Sequence, residues 1–230
     1  MMKRRKNKRY QFKKKFVKTI ERRVVRQLIM LSKKDTPEEF WKIGALKKTD
    51  RFFKDSENLN DTFINRGTMI NEAHFPDSYF YTSMLLITMM QITNSNSIRD
   101  GLIYPALFSY RHYLELTLKE TLNLFEYSGH LVEEVINREH SLAKLWNKLS
   151  PHIDEGEDKD IVRNLVFELN RVDPNGELFR YPYEIGKEGY KLTSSLPSGI
   201  FEIRTLKETM INVYRFLDGI NTLAYEYSNK

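Results

Sequence analysis

The sequence predicts an all-α protein: an up-and-down helical bundle with a basic N-terminal arm and a small irregular segment before its last helix. Glycine and proline are scarce, with 10 and 7 among 230 residues, which favours long regular elements over turn-rich β architecture. Several segments repeat apolar residues three and four positions apart, the spacing of one helix face. Hydrophobic residues make up 40% of the chain, which is enough to fill a buried core.

Charge is unevenly distributed along the chain. Residues 1–34 contain 15 Lys or Arg and one acid, whereas the remaining residues contain 22 bases and 30 acids. The net charges of +14 and −8 give the formal total of +6. We expect a basic arm with an amphipathic helix over 1–34, a helical extension over 35–74 and the bundle over 75–230. The arm's helix is indicated by apolar residues three or four apart: Val17, Ile20, Val24, Leu28 and Leu31.

The arm is a candidate for contact with nucleic acid. Its bases can bind phosphates without sequence preference, and Tyr10 and Phe12 can stack on exposed nucleobases. Two alternatives stay open: a solvated tail, or a segment that pairs with the acidic body of its own dimer. Binding to an anionic membrane and service as an organelle transit peptide are less favoured. The predicted nucleic-acid-binding residues are Lys3, Arg4, Arg5, Lys6, Lys8, Arg9, Lys13, Lys14 and Lys15.

The first two helices of the body carry the strongest apolar pattern. Pro76 suits the first turn of a helix that continues to Ile92. The next helix is expected over 97–128, and Pro105 should kink it or begin its long part. Its predicted core residues are Leu107, Tyr110, Leu114, Leu118 and Leu122.

Three further helices are expected in the second half of the body. One follows His140, another covers 159–171 and the last covers 205–227. A strong turn is predicted at 173–176, and the irregular stretch 183–203 has room for a short hairpin. The predicted core residues are Leu142, Leu145, Trp146 and Leu149, then Ile161, Leu165, Val166 and Leu169, and finally Leu206, Met210, Val213, Leu217, Ile220 and Ala224.

Common catalytic signatures are missing from the sequence. The chain has no cysteine, which excludes disulfides, thiol nucleophiles and zinc–thiolate sites. It contains no glycine-rich phosphate loop, no GxSxG and no HExxH, and its five histidines lack metal-ligand spacing. We therefore expect neither a metal nor a cofactor. The longest apolar stretch is well short of the roughly 20 residues that span a bilayer, so we expect no membrane-spanning segment. The absence of cysteine fits a reducing compartment, so we expect a cytoplasmic protein for which membrane contact is less favoured.

One group of residues could carry chemistry: Arg111, His112, His140, Arg180 and Tyr181. Arginine binds phosphate through a planar fork, and histidine moves protons near neutral pH. Together they suit metal-free cleavage of RNA, in which a base deprotonates the 2′-hydroxyl and arginine stabilises the charge that develops on phosphate.

A structural interpretation of the same residues stays open. Arg111, Glu115 and Lys119 are four apart and can form a ladder of ion pairs, worth about 0.3–0.5 kcal/mol for an exposed pair. In this interpretation His140 caps its helix or packs against it and has no chemical role, and Arg180 ties the irregular segment to backbone carbonyls.

Three short segments resemble the HEPN superfamily (higher eukaryotes and prokaryotes nucleotide-binding domain). They are RHYLELTLK at 111–119, His140-Ser141-Leu142 through Leu145, and Phe179-Arg180-Tyr181-Pro182. The resemblance covers roughly residues 75–228. It implies an up-and-down helical bundle, with a long helix similar to RHxxELxLK, a helix start similar to HxLxxL and an RYP element before the final helix.

The resemblance implies an RNA-binding protein, and in many members a metal-independent endoribonuclease of bacterial phage-defence or toxin–antitoxin systems. Such proteins usually act as homodimers with a composite site, and an antitoxin or a defence-system subunit is an expected partner. Their usual signature, an Arg followed after four to six residues by a His, is absent from this sequence. The alternative is therefore a non-catalytic helical module that dimerises or recruits a protein partner.

Overall fold

The computed structural model describes residues 75–127, 138–180, 183–186, 189–192 and 200–228, all within the unit Glu72–Lys230. These residues form an all-α helical bundle, as the sequence predicts. The predicted arm, the extension over 35–74 and Tyr181 lie outside the described residues. The described helices are α1 (Phe75–Ile92), α2 (Asn96–Tyr127), α3 (Leu142–Leu149), α4 (Glu157–Val172) and α5 (Ile203–Ser228).

Helix α2 is the scaffold on which three other helices pack, namely α1, α3 and α5. The apolar stripe predicted from its sequence is confirmed, because Leu107, Tyr110, Leu114, Leu118 and Leu122 are all buried. Pro105 lies inside α2, which is one helix from Asn96 to Tyr127, so the long part of the helix does not begin at the proline. The five stripe residues form the apolar face of α2, and other buried positions of the helix, such as Arg111 and Glu115, are charged.

Specific contacts join α1, α2 and α5. The Ser83 hydroxyl on α1 donates a hydrogen bond of 2.8 Å to the backbone oxygen of Ala106 on α2. Phe80 of α1 stacks on Tyr214 of α5, with ring centroids 4.0 Å apart. The Tyr110 hydroxyl of α2 donates to the backbone oxygen of Met210 at 3.1 Å. Because these buried polar groups have partners, the apolar core forms without unpaired donors at these points.

Helix α3 begins at a capped position. Ser141 is extended, and its hydroxyl accepts a hydrogen bond of 3.4 Å from the Lys144 N–H. Such a cap satisfies one of the free N–H groups in the first turn. A 3₁₀ turn, Ser150–His152, follows the helix. The predicted inward face is confirmed, since Leu142, Leu145, Trp146 and Leu149 are completely buried.

The predicted core face of α4 is partly wrong. Ile161 is 48% exposed, whereas its neighbour Val162 is buried together with Val166. Lys159 lies on this buried face too, and its ammonium donates to the backbone oxygen of Ile153 at 3.0 Å. The bundle thus selects residues 159, 162 and 166, which share one face of a helix at spacings of three and four.

A hairpin and α5 complete the described chain. Strand β1 (Tyr183–Gly186) pairs with β2 (Gly189–Leu192) in an antiparallel register that places Tyr183 opposite Leu192. On α5, Met210, Val213, Leu217 and Ala224 are buried as predicted, and Leu206 and Ile220 are partly buried. In the part of the chain that the structure describes, no helix combines the length and the apolar character needed to cross a membrane.

Candidate functional site

Arg111 is the centre of a buried polar network. Its side chain is only 2% exposed, and every nitrogen of the guanidinium has a partner within the protein. Nη1 donates to Glu115 Oε2 at 3.0 Å, and Nη2 donates to the backbone oxygen of His140 at 2.7 Å. Nε donates to the backbone oxygen of Asp173 at 3.0 Å and lies 3.2 Å from its Oδ2. One side chain therefore ties α2 to the start of α3 and the end of α4.

The turn after α4 is built around this arginine. Asp173 is buried, and its Oδ1 accepts from the N–H groups of Glu177 at 2.9 Å and Leu178 at 3.2 Å. Gly176 has a φ of +76°, a conformation that favours glycine. A Cβ at Gly176 would lie 2.6 Å from Nη1 of Arg111, so the absence of a side chain lets the turn close over the guanidinium.

Glu115 links the network to His140. Its Oε1 accepts from Lys119 Nζ at 2.8 Å and lies 3.0 Å from Nδ1 of His140. Burial alone would raise the pKa of Glu115, but the hydrogen bonds and charges of Lys119, His140 and Arg111 outweigh it and leave the pKa below its ordinary value. The carboxylate is therefore ionised at neutral pH. The ladder predicted from the i, i+4 spacing is present, but it is buried and not exposed.

His140 combines a fixed orientation with an accessible ring. Its side chain is 59% exposed although Nδ1 faces Glu115. An ionised carboxylate can only accept, so Nδ1 carries a proton, and in the neutral ring Nε2 is an acceptor. Histidines that serve as general bases are commonly oriented in this way by a carboxylate. The arrangement can remove a proton from a bound hydroxyl group.

The backbone around His140 is held by residues that the sequence analysis did not single out. Glu139 Oε1 accepts from the N–H groups of His140 at 3.1 Å and Ser141 at 2.9 Å. Asn170 Oδ1 on α4 accepts from the Ser141 hydroxyl at 3.1 Å and from the Ala143 N–H at 3.2 Å. Glu139 lies two residues before the cap Ser141, and neither it nor Asn170 is marked by a pattern in the local sequence.

His112 and Arg180 lie in a second group beside Phe108. The His112 and Tyr79 rings are nearly perpendicular, with centroids 4.4 Å apart, and the His112 ring lies parallel to Phe108 at 6.1 Å. The Arg180 guanidinium lies 6.0 Å from the centre of the Phe108 ring. Burial lowers the pKa of His112; Glu115 opposes this effect, and the cations Arg111, Lys119 and Arg180 add to it.

The structure thus brings the predicted site residues together in two groups. Arg111 and His140 meet in the buried network, whereas His112 and Arg180 meet at Phe108. The two groups adjoin on α2, because His112 and Glu115 are three residues apart on a helix and therefore neighbours on its surface. Arg180 is accessible, with 43% of its side chain exposed, whereas Arg111 is not.

Among the described residues, no group of three or more His, Asp or Glu side chains is placed to hold a metal ion. The chain has no match among protein-family models, curated proteins or solved structures. The HEPN resemblance therefore stays a prediction from the sequence, and a proposal about function depends on the geometry of the site.

Proposed function

We propose that the protein binds RNA and cleaves it without a metal ion, with His140 as the residue that transfers the proton. The observation that supports this proposal is an exposed histidine whose Nδ1 is held 3.0 Å from the buried, ionised Glu115. The HEPN resemblance adds the expectation of a homodimer that acts in a bacterial defence or toxin–antitoxin system. The basic arm would supply salt-dependent affinity for the RNA phosphates.

The reaction needs only groups that the site contains. Nε2 of His140 removes the proton of a ribose 2′-hydroxyl, and the 2′-oxygen attacks the adjacent phosphorus. The new bond to the 2′-oxygen forms as the bond to the 5′-oxygen breaks, which yields a 2′,3′-cyclic phosphate. The departing 5′-oxygen takes a proton from solvent water and becomes a hydroxyl group, and the imidazolium of His140 returns its proton to solvent, so the net change is one proton moved from the 2′-oxygen to the 5′-oxygen. Glu115 stabilises the imidazolium formed at His140, and Arg180, a half-exposed cation with Glu177 at 3.9 Å, would bind the phosphate.

In this proposal Arg111 positions other groups of the site, although an arginine by its chemistry suggests phosphate binding. Its guanidinium is buried, and each of its nitrogens is bound to the protein. It therefore positions Glu115 and the backbone of His140 and does not contact substrate. Loss of Arg111 would disturb the site by displacing these two residues.

Burial of Arg111 also favours a second function. If the RHYLELTLK segment mainly stabilises the packing of the bundle, the protein is a non-catalytic helical module that binds RNA or recruits a protein partner. The buried contacts of Arg111 with Glu115, Asp173 and His140 support this alternative, because packing alone accounts for them. The two functions differ in whether His140 is needed for a chemical step.

RNA cleavage in the presence of a chelator separates the two functions. The wild type is compared with His140→Gln, which keeps a polar group near Glu115 but cannot act as a base. The matched control is His152→Gln, which replaces an exposed histidine that stacks on Phe125 at 5.0 Å. Phe125 is ten residues from Glu115 on α2, which is about 15 Å along the helix. All three proteins are purified in parallel, and their helix content is compared by circular dichroism.

We expect the cleavage rate to fall about 10²- to 10⁴-fold in His140→Gln, the usual contribution of a general base, and to stay unchanged in His152→Gln. Equal cleavage by all three proteins would show that His140 is not the base. RNA binding by the wild type without any cleavage over a broad set of RNAs would favour the non-catalytic module.

A further inference from the structure

A strip of ring side chains runs across α1 and α2 beside Arg180. We call Phe75, Tyr79, Phe108 and His112 the aromatic strip. Phe75 meets Tyr79 edge to face, with centroids 5.4 Å apart and planes at 81°. Tyr79 meets His112 in the same way at 4.4 Å, and His112 continues to Phe108 with planes only 3° apart.

The strip lies at the surface of the bundle. Phe75 is 51% exposed, and the other three side chains are partly buried. Two edge-to-face contacts and one parallel contact between its members orient the rings. A series of oriented and partly exposed rings is suited to binding a flat partner by stacking.

Arg180 places a cation beside the strip. It is 43% exposed, and its guanidinium lies 6.0 Å from the Phe108 ring, at the outer limit of a cation–π contact. Its Nη2 also lies 3.9 Å from Oε1 of the exposed Glu177, so a phosphate would bind Arg180 in competition with this weak surface pair. A flat ring face next to an exposed guanidinium matches the two parts of a nucleotide, the base and the phosphate. Residues 1–34 carry a net charge of +14, whereas the remaining residues, which include the strip, carry −8. The general attraction of the chain to a polyanion would therefore come from residues 1–34, and the strip with Arg180 would supply the local contacts.

We infer that the aromatic strip and Arg180 bind unpaired nucleotides of single-stranded RNA. A base stacks on the strip, and Arg180 contacts a neighbouring phosphate. This inference rests on the proposed RNA binding and gives His112 and Arg180 a role in holding the substrate next to His140. Stacking tolerates every base, so the strip recognises unpaired RNA without a preference for sequence.

The test measures binding of a fluorescent 12-nucleotide RNA by anisotropy, with the full chain in the His140→Gln background so that the RNA stays intact. Phe108→Leu removes a ring of the strip, and Arg180→Gln removes the cation. Phe125→Leu is the matched control, because Phe125 is also partly buried and also stacks on a histidine, near the C-terminal end of α2 and away from the strip. Titrations are repeated from low to high salt and with an abasic oligomer of the same length.

We expect Phe108→Leu to bind the RNA about tenfold more weakly, with an unchanged dependence on salt, and to bind the abasic oligomer as the parent does. Arg180→Gln should reduce the salt dependence by the equivalent of one phosphate contact. Phe125→Leu should bind as the parent does. Thermal unfolding of each variant shows whether the bundle is intact.

Specific results would overturn the inference. If the parent binds RNA and Phe108→Leu binds equally well, the strip is not the RNA site, although the proposed function stands. If Phe108→Leu loses thermal stability and keeps its RNA affinity, the ring serves packing within the bundle, as its contact with His112 already does, and not RNA binding. If no protein binds RNA, both the inference and the proposed function fail. Weaker RNA binding by Phe108→Leu, with a wild type that does not cleave, would sustain the inference and reject catalysis.

Discussion

Replacement of Arg111 by methionine tests whether the buried network holds the bundle together. Methionine is similar in length and apolar, so the substitution removes the charge while it leaves most of the volume filled. It leaves Glu115 and Asp173, which are 4% and 1% exposed, without the cation that they share. It also leaves the backbone oxygen of His140 without its donor.

The size of the effect follows from these contacts. Removal of one partner from a buried ion pair costs about 3–5 kcal/mol, because the remaining charge is buried without compensation. Glu115 keeps the ammonium of Lys119 at 2.8 Å, and Asp173 keeps two backbone N–H donors, so we expect about 3 kcal/mol. Since native domains have unfolding free energies of about 5–15 kcal/mol, this is a large part of the total. For a unit of the size of Glu72–Lys230, the midpoint of thermal unfolding should fall by roughly 6–12 °C.

The loss of unfolding free energy is measured by urea and thermal unfolding, with circular dichroism at 222 nm as the signal. The matched control is Arg204→Met, which breaks another i, i+4 Arg–Glu pair with the same 3.0 Å separation, but in solvent, since Arg204 and Glu208 are both exposed. Screening by water makes such a pair weak, so Arg204→Met should unfold almost as the wild type does. Equal stability of the Arg111 and Arg204 variants would refute the argument that Arg111 locks the bundle.

Two further predictions concern glycine and pH. Gly176→Ala should destabilise the protein by about 2 kcal/mol or more, because φ is +76° and the new Cβ would meet Arg111. Gly219→Ala should stabilise it by about 0.5–1 kcal/mol, because Gly219 lies inside α5 with open space around it. Urea unfolding measures both changes, and a change in unfolding free energy of the same sign for both would contradict this prediction. The folded-state pKa of His112 lies below its ordinary 6.5, so the unfolded chain binds the proton first and wild-type stability is lost as pH falls from 6.5 through the folded pKa. His112→Gln should remove this part of the pH dependence, and parallel stability curves for the two proteins between pH 5 and 7 would argue against it.

The helices could be predicted largely because their signal is local. The stripe of Leu142, Leu145 and Trp146 repeats at three and four residues, and burial of all three follows from that period. The prediction failed at Ile161, because α4 offers apolar side chains at both 161 and 162. Two adjacent faces then have similar apolar character, and only contact with neighbouring helices selects one of them.

The site was less predictable because its contacts join distant parts of the chain. The Arg111–Glu115 pair could be anticipated, since four residues along a helix bring two side chains together. Burial of that pair could not, because it depends on the start of α3 and the end of α4 closing over it. Asp173 is 62 residues from Arg111, and the sequence indicated only a turn there.

The sequence by itself determined the helical periods, the absence of cysteine chemistry and the concentration of positive charge in residues 1–34, since these depend on residue identity and local spacing alone. Only the tertiary structure decided that Arg111 is locked inside the protein while His140 remains accessible, and that His112 and Arg180 lie beside Phe108. Accessibility is a property of the packed bundle, because a side chain of given chemistry is buried or exposed according to which elements close around it.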